Sequence, residues 1–191
     1  MQIEYLNRFK TIEPLFSYEH PEHLTIYKLR ENLTQQFSWA IPTREALDLI
    51  KQYSPILEIG AGTGYWAFLL ESLNCDILPV DIEPPNKRAN KFGHKKEYTS
   101  VIKGDQNTVK LFPECNVFIC WPYMDNTAYT IALDMQISRY LIYIGEGHGG
   151  CNANNSFFDY LSDNFNQVVS HDIPQWDGIH DRLNIYQKVN T

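Results

Sequence analysis

No run in this 191-residue sequence approaches the ~18 apolar residues that a bilayer-spanning helix needs, so no membrane segment is expected. The opening MQIEYLNRFK has neither an apolar core nor a small-residue cleavage site; it does not read as a signal peptide, and a cytoplasmic protein is expected. The 4 cysteines (Cys75, Cys115, Cys120, Cys151) contain no C-x-x-C pair, so neither a zinc site nor any other metal site is expected. They read as reduced, partly buried thiols. An excess of positive charge is also missing: 16 Lys and Arg stand against 23 Asp and Glu, a net charge of -7. Proteins that grip a nucleic-acid backbone usually present a basic face, which disfavours a DNA or RNA partner. A local exception is the group Lys87, Arg88, Lys91, Lys95 and Lys96 with His94, read first as a solvated loop. No repeat or low-complexity tract occurs.

What remains is a chain of ordinary length for one domain, 43% hydrophobic and rich in aromatics at 14%. Its most informative stretch is Ile56-Leu57-Glu58-Ile59-Gly60-Ala61-Gly62-Thr63-Gly64. A short apolar run over 55–59 has the length of a buried strand, and an apolar run over 65–73 is long enough for a helix. The three glycines between them remove Cβ atoms where backbone can approach a ligand, and the helix start aims free N–H groups at the same place. A dinucleotide fingerprint needs G-x-G-x-x-G; counted from Gly60, the third glycine is replaced by Tyr65, which disfavours NAD or FAD.

Ahead of this turn, residues 1–42 carry scattered aromatics, with a helix over 24–37. Trp39-Ala40-Ile41-Pro42 is the part placed nearest any ligand. Thr43 is a sensible N-cap for a helix whose buried face is Ala46, Leu49, Ile50 and Tyr53. After the turn, Ile77, Leu78 and Val80 read as a second strand, with Pro79 pointing to an exposed end or a bulge. It finishes at Asp81, about 20 residues past the glycines, where a carboxylate can accept hydrogen bonds from both hydroxyls of a ribose. Residues 83–99 are polar and loop-like. A third strand over 100–105 ends at Asp105, followed by Gln106, and a fourth over 116–120 leads into Trp121-Pro122-Tyr123. A helix over 127–138, a strand over 140–144 and the glycine-rich 145–151 follow. Glu146 and His148 in that loop are candidates for substrate contact or proton transfer, since a histidine of pKa ~6.5 can act as a base near neutrality. Asn155 or Ser156 caps a helix with Phe157, Tyr160, Leu161 and Phe165 buried. Strands over 167–173 and 183–189 close the chain, the second alternating with Leu183, Ile185 and Val189 on one face and Asn184, Tyr186 and Lys188 on the other. Trp176, His180 and Asp181, near the loop between them, read as ordinary loop residues.

The stretch from Glu58 to Gly64 resembles motif I, E-x-G-x-G-x-G, of the class I S-adenosylmethionine (SAM)-dependent methyltransferases. Together with Cys120-Trp121-Pro122-Tyr123, Gly145-Glu146-Gly147 and the IPQWDGIHD run at 173–181, the sequence is similar to a branch of methyltransferase-like proteins. The resemblance implies a doubly wound, mostly parallel seven-stranded sheet with an antiparallel C-terminal strand and an N-terminal helical extension. It implies one domain over 1–191, with 1–42 an extension or cap and 43–191 the SAM-binding core. Glu58, Gly60, Ala61, Gly62 and Gly64 then cradle the amino acid end of SAM. Asp81 meets the ribose, with Ile82 beside it also touching the cofactor; Asp105 and Gln106 meet the adenine, and Cys120 and Trp121 border the transferable methyl group. Tyr123, Glu146 and His148 are the catalytic candidates. The expected activity is methyl transfer from SAM, leaving S-adenosylhomocysteine (SAH), to a small-molecule or protein acceptor. A non-catalytic SAM sensor is the alternative. Nucleic-acid methylation ranks lower, because relatives acting on bases often carry N-P-P-Y or D-P-P-Y where this chain has Cys120-Trp121-Pro122-Tyr123.

Overall fold

A computed structural model describes residues 2–16, 23–85, 93–94 and 96–189. Two helices, α1 (Glu4–Ile12) and α2 (His23–Gln36), precede the core. There follow α3 (Arg44–Ile50), β1 (Ile56–Ile59), α4 (Tyr65–Glu71), β2 (Ile77–Asp81), β3 (Ile102–Lys103) and β4 (Asn116–Cys120). The chain ends with α5 (Thr127–Asp134), β5 (Tyr140–Gly145), α6 (Asn155–Asn164), β6 (Phe165–Asp172) and β7 (Arg182–Lys188). The strands form one seven-stranded sheet in the order β3-β2-β1-β4-β5-β7-β6. β1 pairs parallel with β2 and β4, β2 with β3, and β4 with β5; β7 runs antiparallel to both β5 and β6.

The central strands are buried on both faces, so their apolar runs are continuous and successive residues serve two different cores. Ile56, Phe118, Ile142 and Ile144 pack with α3, α4 and the aromatic residues of α1. Leu57, Val117, Ile119 and Leu141 pack with Ala128 and Ile131 of α5 and Phe157 and Leu161 of α6. Helices therefore cover both sides, as the sequence pattern implies. Thr43 caps α3, its hydroxyl accepting the Ala46 N–H at 3.1 Å.

Pro79 sits inside β2, opposite Glu58 of β1, and is neither at an exposed end nor in a bulge. The Ile56 N–H bonds to the Asp76 carbonyl and the Gly60 N–H to the Val80 carbonyl, so even-numbered residues of β2 face β1. The donor that Pro79 lacks points to the outer side, where β3 begins to pair only at Val80. β3 itself is shorter than expected, because only Ile102 and Lys103 reach β2. α5 ends at Asp134 and not near 138, and α6 is capped by Asn154, whose side chain accepts the Phe157 N–H at 2.9 Å, and not by Asn155 or Ser156.

Lys188 shares its face of β7 with Asn184 and Tyr186. It is only 2% exposed, and its Nζ donates to the carbonyls of Ala132, Leu133 and Met135, each at 2.8 Å. The ammonium thus closes the C-terminal carbonyls of α5, which have no partners within the helix. Burial pulls its pKa down.

The N-terminal helices are joined to the core by aromatic packing. Tyr5 stacks on Phe37 at 4.8 Å, and Phe9 meets Trp176 edge-on at 5.0 Å. The Trp176 indole N–H donates to the Tyr5 hydroxyl at 3.2 Å, tying α1 to the β6–β7 connection. The Thr63 hydroxyl of the glycine turn donates to the Phe37 carbonyl, and the Tyr98 N–H donates to the Thr63 carbonyl at 2.9 Å. No helix among the described residues is long and apolar enough to cross a membrane.

Candidate functional site

The turn after β1 carries Gly60, Gly62 and Gly64 at φ of +79°, +55° and +71°, a left-handed conformation that costs other residues energy. The Gly60 and Ala61 N–H groups donate to the Val80 carbonyl at 2.9 and 3.0 Å, so the turn folds back over the end of β2. Asp81 then holds it in place. One carboxylate oxygen accepts the Gly62 N–H and the other the Glu83 N–H, both at 2.8 Å. Each oxygen keeps a second lone pair, so two ribose hydroxyls can still donate to the same carboxylate.

A Cβ built on Gly60 would meet no atom within 4 Å, so open space lies over the first glycine. Ile82, next to Asp81, is half exposed at 51% and offers an apolar side chain. Asp105 is half-buried, and one of its oxygens caps the short turn Gln106–Leu111 by accepting the Asn107 N–H at 2.9 Å. Gln106, also half-buried, opens that turn. An open glycine cradle, a ribose-competent carboxylate and an apolar and polar edge beside it fit SAM.

Glu58 is placed differently from a ligand-touching acid. It is 2% exposed beneath the turn, and burial, then the nearby Asp81 and Glu71 charges, pushes its pKa well above the usual carboxylate range, against the Ala67 N–H. It joins the end of β1 to the first turn of α4. His94 lies against the turn, a placement with no local signal in the chain: a Cβ on Gly62 would stand 2.9 Å from its imidazole. The rest of the basic group that contains it, Lys87, Arg88, Lys91 and Lys95, lies outside the described residues; Lys96 stacks over Tyr98 at 4.0 Å.

At the end of β4 the backbone turns sharply. Trp121 has φ +54°, an uncommon value for a residue with a bulky side chain. Its N–H donates to the Ile144 carbonyl and its indole N–H donates to Asp181, both at 2.8 Å. Its ring stacks on Trp39 at 5.0 Å, so the N-terminal segment does reach this edge of the sheet. Asp181 is 2% exposed, and its second oxygen has no hydrogen-bond partner among the described residues. Burial raises its pKa to about 6, against the Trp121 bond. The Trp121–Asp181 link is the main feature of the site that sequence reading missed, since 60 residues separate the partners. The Cys120 thiol is pushed up by burial and by Glu58 and Asp181, and so is held neutral.

The three catalytic candidates are not brought together. Tyr123 is 63% exposed at the mouth, its phenol raised by partial burial and then by the Asp81 charge that it faces. Glu146 is buried and works as a clamp: one oxygen accepts the Cys151 N–H at 2.7 Å and the other the His180 N–H at 2.9 Å. The carboxylate sits below its usual pKa; these backbone donors outweigh the burial that opposes them. That makes it a poor base near neutrality. His148 leans on α6, 5.9 Å from the Phe158 ring and 4.0 Å from Asp159, with no contact to the glycine turn among the described residues. No cluster of described side chains could hold a metal ion.

The strand order and the antiparallel last pair, with a glycine turn after the first strand and an acid ending the second, define the class I SAM-dependent methyltransferase fold. No family model and no curated protein matches the sequence. Solved structures match the fold. One is the glycopeptide N-methyltransferase MtfA complexed with SAH, 12% identical over 80% of this chain and 92% of that one, with a TM-score of 0.50. Another is a mutant of MtNAS, 12% identical over 98% of this chain and 82% of that one, with a TM-score of 0.51. At such identities the likeness is one of fold.

Proposed function

We propose that this protein is a SAM-dependent methyltransferase acting on a small-molecule or protein acceptor. The observation that carries the reading is the Asp81 carboxylate, fixed by the Gly62 N–H at 2.8 Å, beside open space over Gly60. When bound, SAM supplies an electrophilic methyl group on a sulfonium. The backbone from Gly60 to Gly64 supports its amino acid end, Asp81 accepts from the ribose, and Ile82, Asp105 and Gln106 border the adenine. Cys120 and Trp121 lie at the methyl end and Tyr123 walls the mouth. The protein contributes position and exclusion of water more than covalent chemistry. With a raised phenol, Tyr123 serves as a wall or donor at neutral pH and not as a base.

The same geometry favours a second reading, a SAM-binding sensor without catalysis. Glu146 is engaged as a clamp, His148 leans away, and the neutral Cys120 thiol stands in place of an amine-holding acid or amide. That replacement also weakens nucleic-acid methylation. Incubation with methyl-labelled SAM and a fractionated cell extract separates the readings. A labelled fraction that depends on Asp81 supports the enzyme. Tight SAM binding with no label in any fraction supports the sensor.

A further inference from the structure

The described residues include a ladder of flat groups running from α2 to the end of β4. The Trp121 ring stacks on Trp39 at 5.0 Å; the Arg30 guanidinium lies 5.9 Å from the Trp39 ring and 4.8 Å from the Tyr27 ring. A cation–π contact is made by the charge of the guanidinium and does not consume its five N–H donors, which stay available to an acceptor. Arg8, Arg44 and Arg182 are each paired with a carboxylate, whereas Arg30 is half-buried and meets no acid among the described residues. A planar donor fork without an acceptor matches a carboxylate or phosphate bidentately. Asp81 and Glu146, buried at the neighbouring sheet edge, place carboxylates there, which opposes a multiply charged group. Trp39 is 43% exposed, so the surface beside the Arg30 guanidinium is aromatic, and Tyr123 and Met124, two and three residues after Trp121 in the chain, are themselves 63% and 64% exposed.

We propose that Arg30, Trp39 and Trp121 form the acceptor subsite of this protein and that it takes a small aromatic carboxylate, its ring against the tryptophans and its acid group on the Arg30 fork. Calling the molecule an acceptor rests on the methyltransferase reading; the binding chemistry does not. Asp181 positions the wall by fixing the Trp121 indole at 2.8 Å.

The test uses benzoate and its neutral isostere benzamide, titrated against the full chain by tryptophan fluorescence, with and without saturating SAH. Benzoate is expected to bind at least about tenfold tighter than benzamide, the difference a charge-assisted pair supplies. Arg30→Gln is expected to bring the two within about twofold, and Arg30→Lys to fall between, because an ammonium lacks the fork. SAH affinity, measured separately by calorimetry, stays unchanged in both variants and reports that they are folded. Equal binding of the two probes, no benzoate binding, or a preference that survives Arg30→Gln overturns the proposal. Inorganic phosphate displacing benzoate at equal concentration overturns the carboxylate assignment. Absence of SAH binding with the benzoate preference intact strikes the methyltransferase reading and leaves the carboxylate site standing.

Discussion

Asp181 gives the sharpest stability prediction. Its carboxyl is 2% exposed, holds the Trp121 indole with one oxygen, and leaves the other without a partner among the described residues. Burial raises its pKa from 3.8 to about 6. The folded state therefore holds this proton more tightly than the unfolded chain. Between those two values the folded protein carries more protons, so the contribution of Asp181 to stability declines as pH rises and levels off above about 6. At 1.36 kcal/mol per pKa unit, the loss is about 3 kcal/mol. Asp181→Asn keeps an oxygen for the indole and cannot ionise. Its amide also lacks a partner, which costs about 1–3 kcal/mol but does so at every pH. Urea unfolding of both proteins from pH 3.5 to 8, plotted as the difference between them, isolates this group from every other titrating acid. The variant should gain on the wild type by about 3 kcal/mol across that interval. A difference that stays flat to within about 0.5 kcal/mol refutes a buried, proton-holding Asp181.

Three further substitutions test separate parts of the account. Gly60→Val forces a β-branched residue to φ +79° and fills open space, so SAH binding should fall below detection in calorimetry while circular dichroism reports a retained fold. Lys188→Met strands three buried carbonyls at the end of α5 and should lower unfolding stability by about 3 kcal/mol in urea. Glu146→Gln replaces an acceptor of two backbone N–H bonds and should cost about 1–3 kcal/mol at pH 7. Because the folded pKa of Glu146 is depressed, that contribution is present above the unfolded value, ~4.3, and disappears as pH falls through the folded one. If Glu146 is a clamp, methyl transfer by the variant measured below its melting temperature remains close to wild type; loss of turnover without loss of stability restores it as a catalytic group.

The parts of the site that sequence revealed are those whose partners lie at fixed offsets along the chain. Asp81 is legible because a βαβ unit has a nearly constant length, so an acid ending the second strand returns beside the first turn. Thr43 is legible because a cap acts three residues ahead. The hydrogen bonds of Glu146 and Asp181 are not legible, because their partners, His180 and Trp121, are 34 and 60 residues away. Nothing local distinguishes a loop acid that clamps two loops from one that faces water. Lys188 shares a strand face with polar Asn184 and Tyr186, and nothing in that alternation shows that its end meets α5, where three carbonyls need a donor. Arg30 looks in the sequence like any cation on a helix; only packing shows it over the Tyr27 and Trp39 rings with no acid beside it among the described residues.

The central claim, that the glycine turn and Asp81 form a SAM site, is tested most directly by isothermal calorimetry of the full chain with SAH. The account predicts one saturable site, accompanied by a rise in melting temperature as SAH is added; at 100 times the dissociation constant the stabilisation is about 2.7 kcal/mol. Asp81→Ala should abolish the binding heat at temperatures where the variant remains folded. No binding heat and no thermal shift at about 1 mM SAH, a concentration at which even a −4.1 kcal/mol interaction half-saturates, would contradict it.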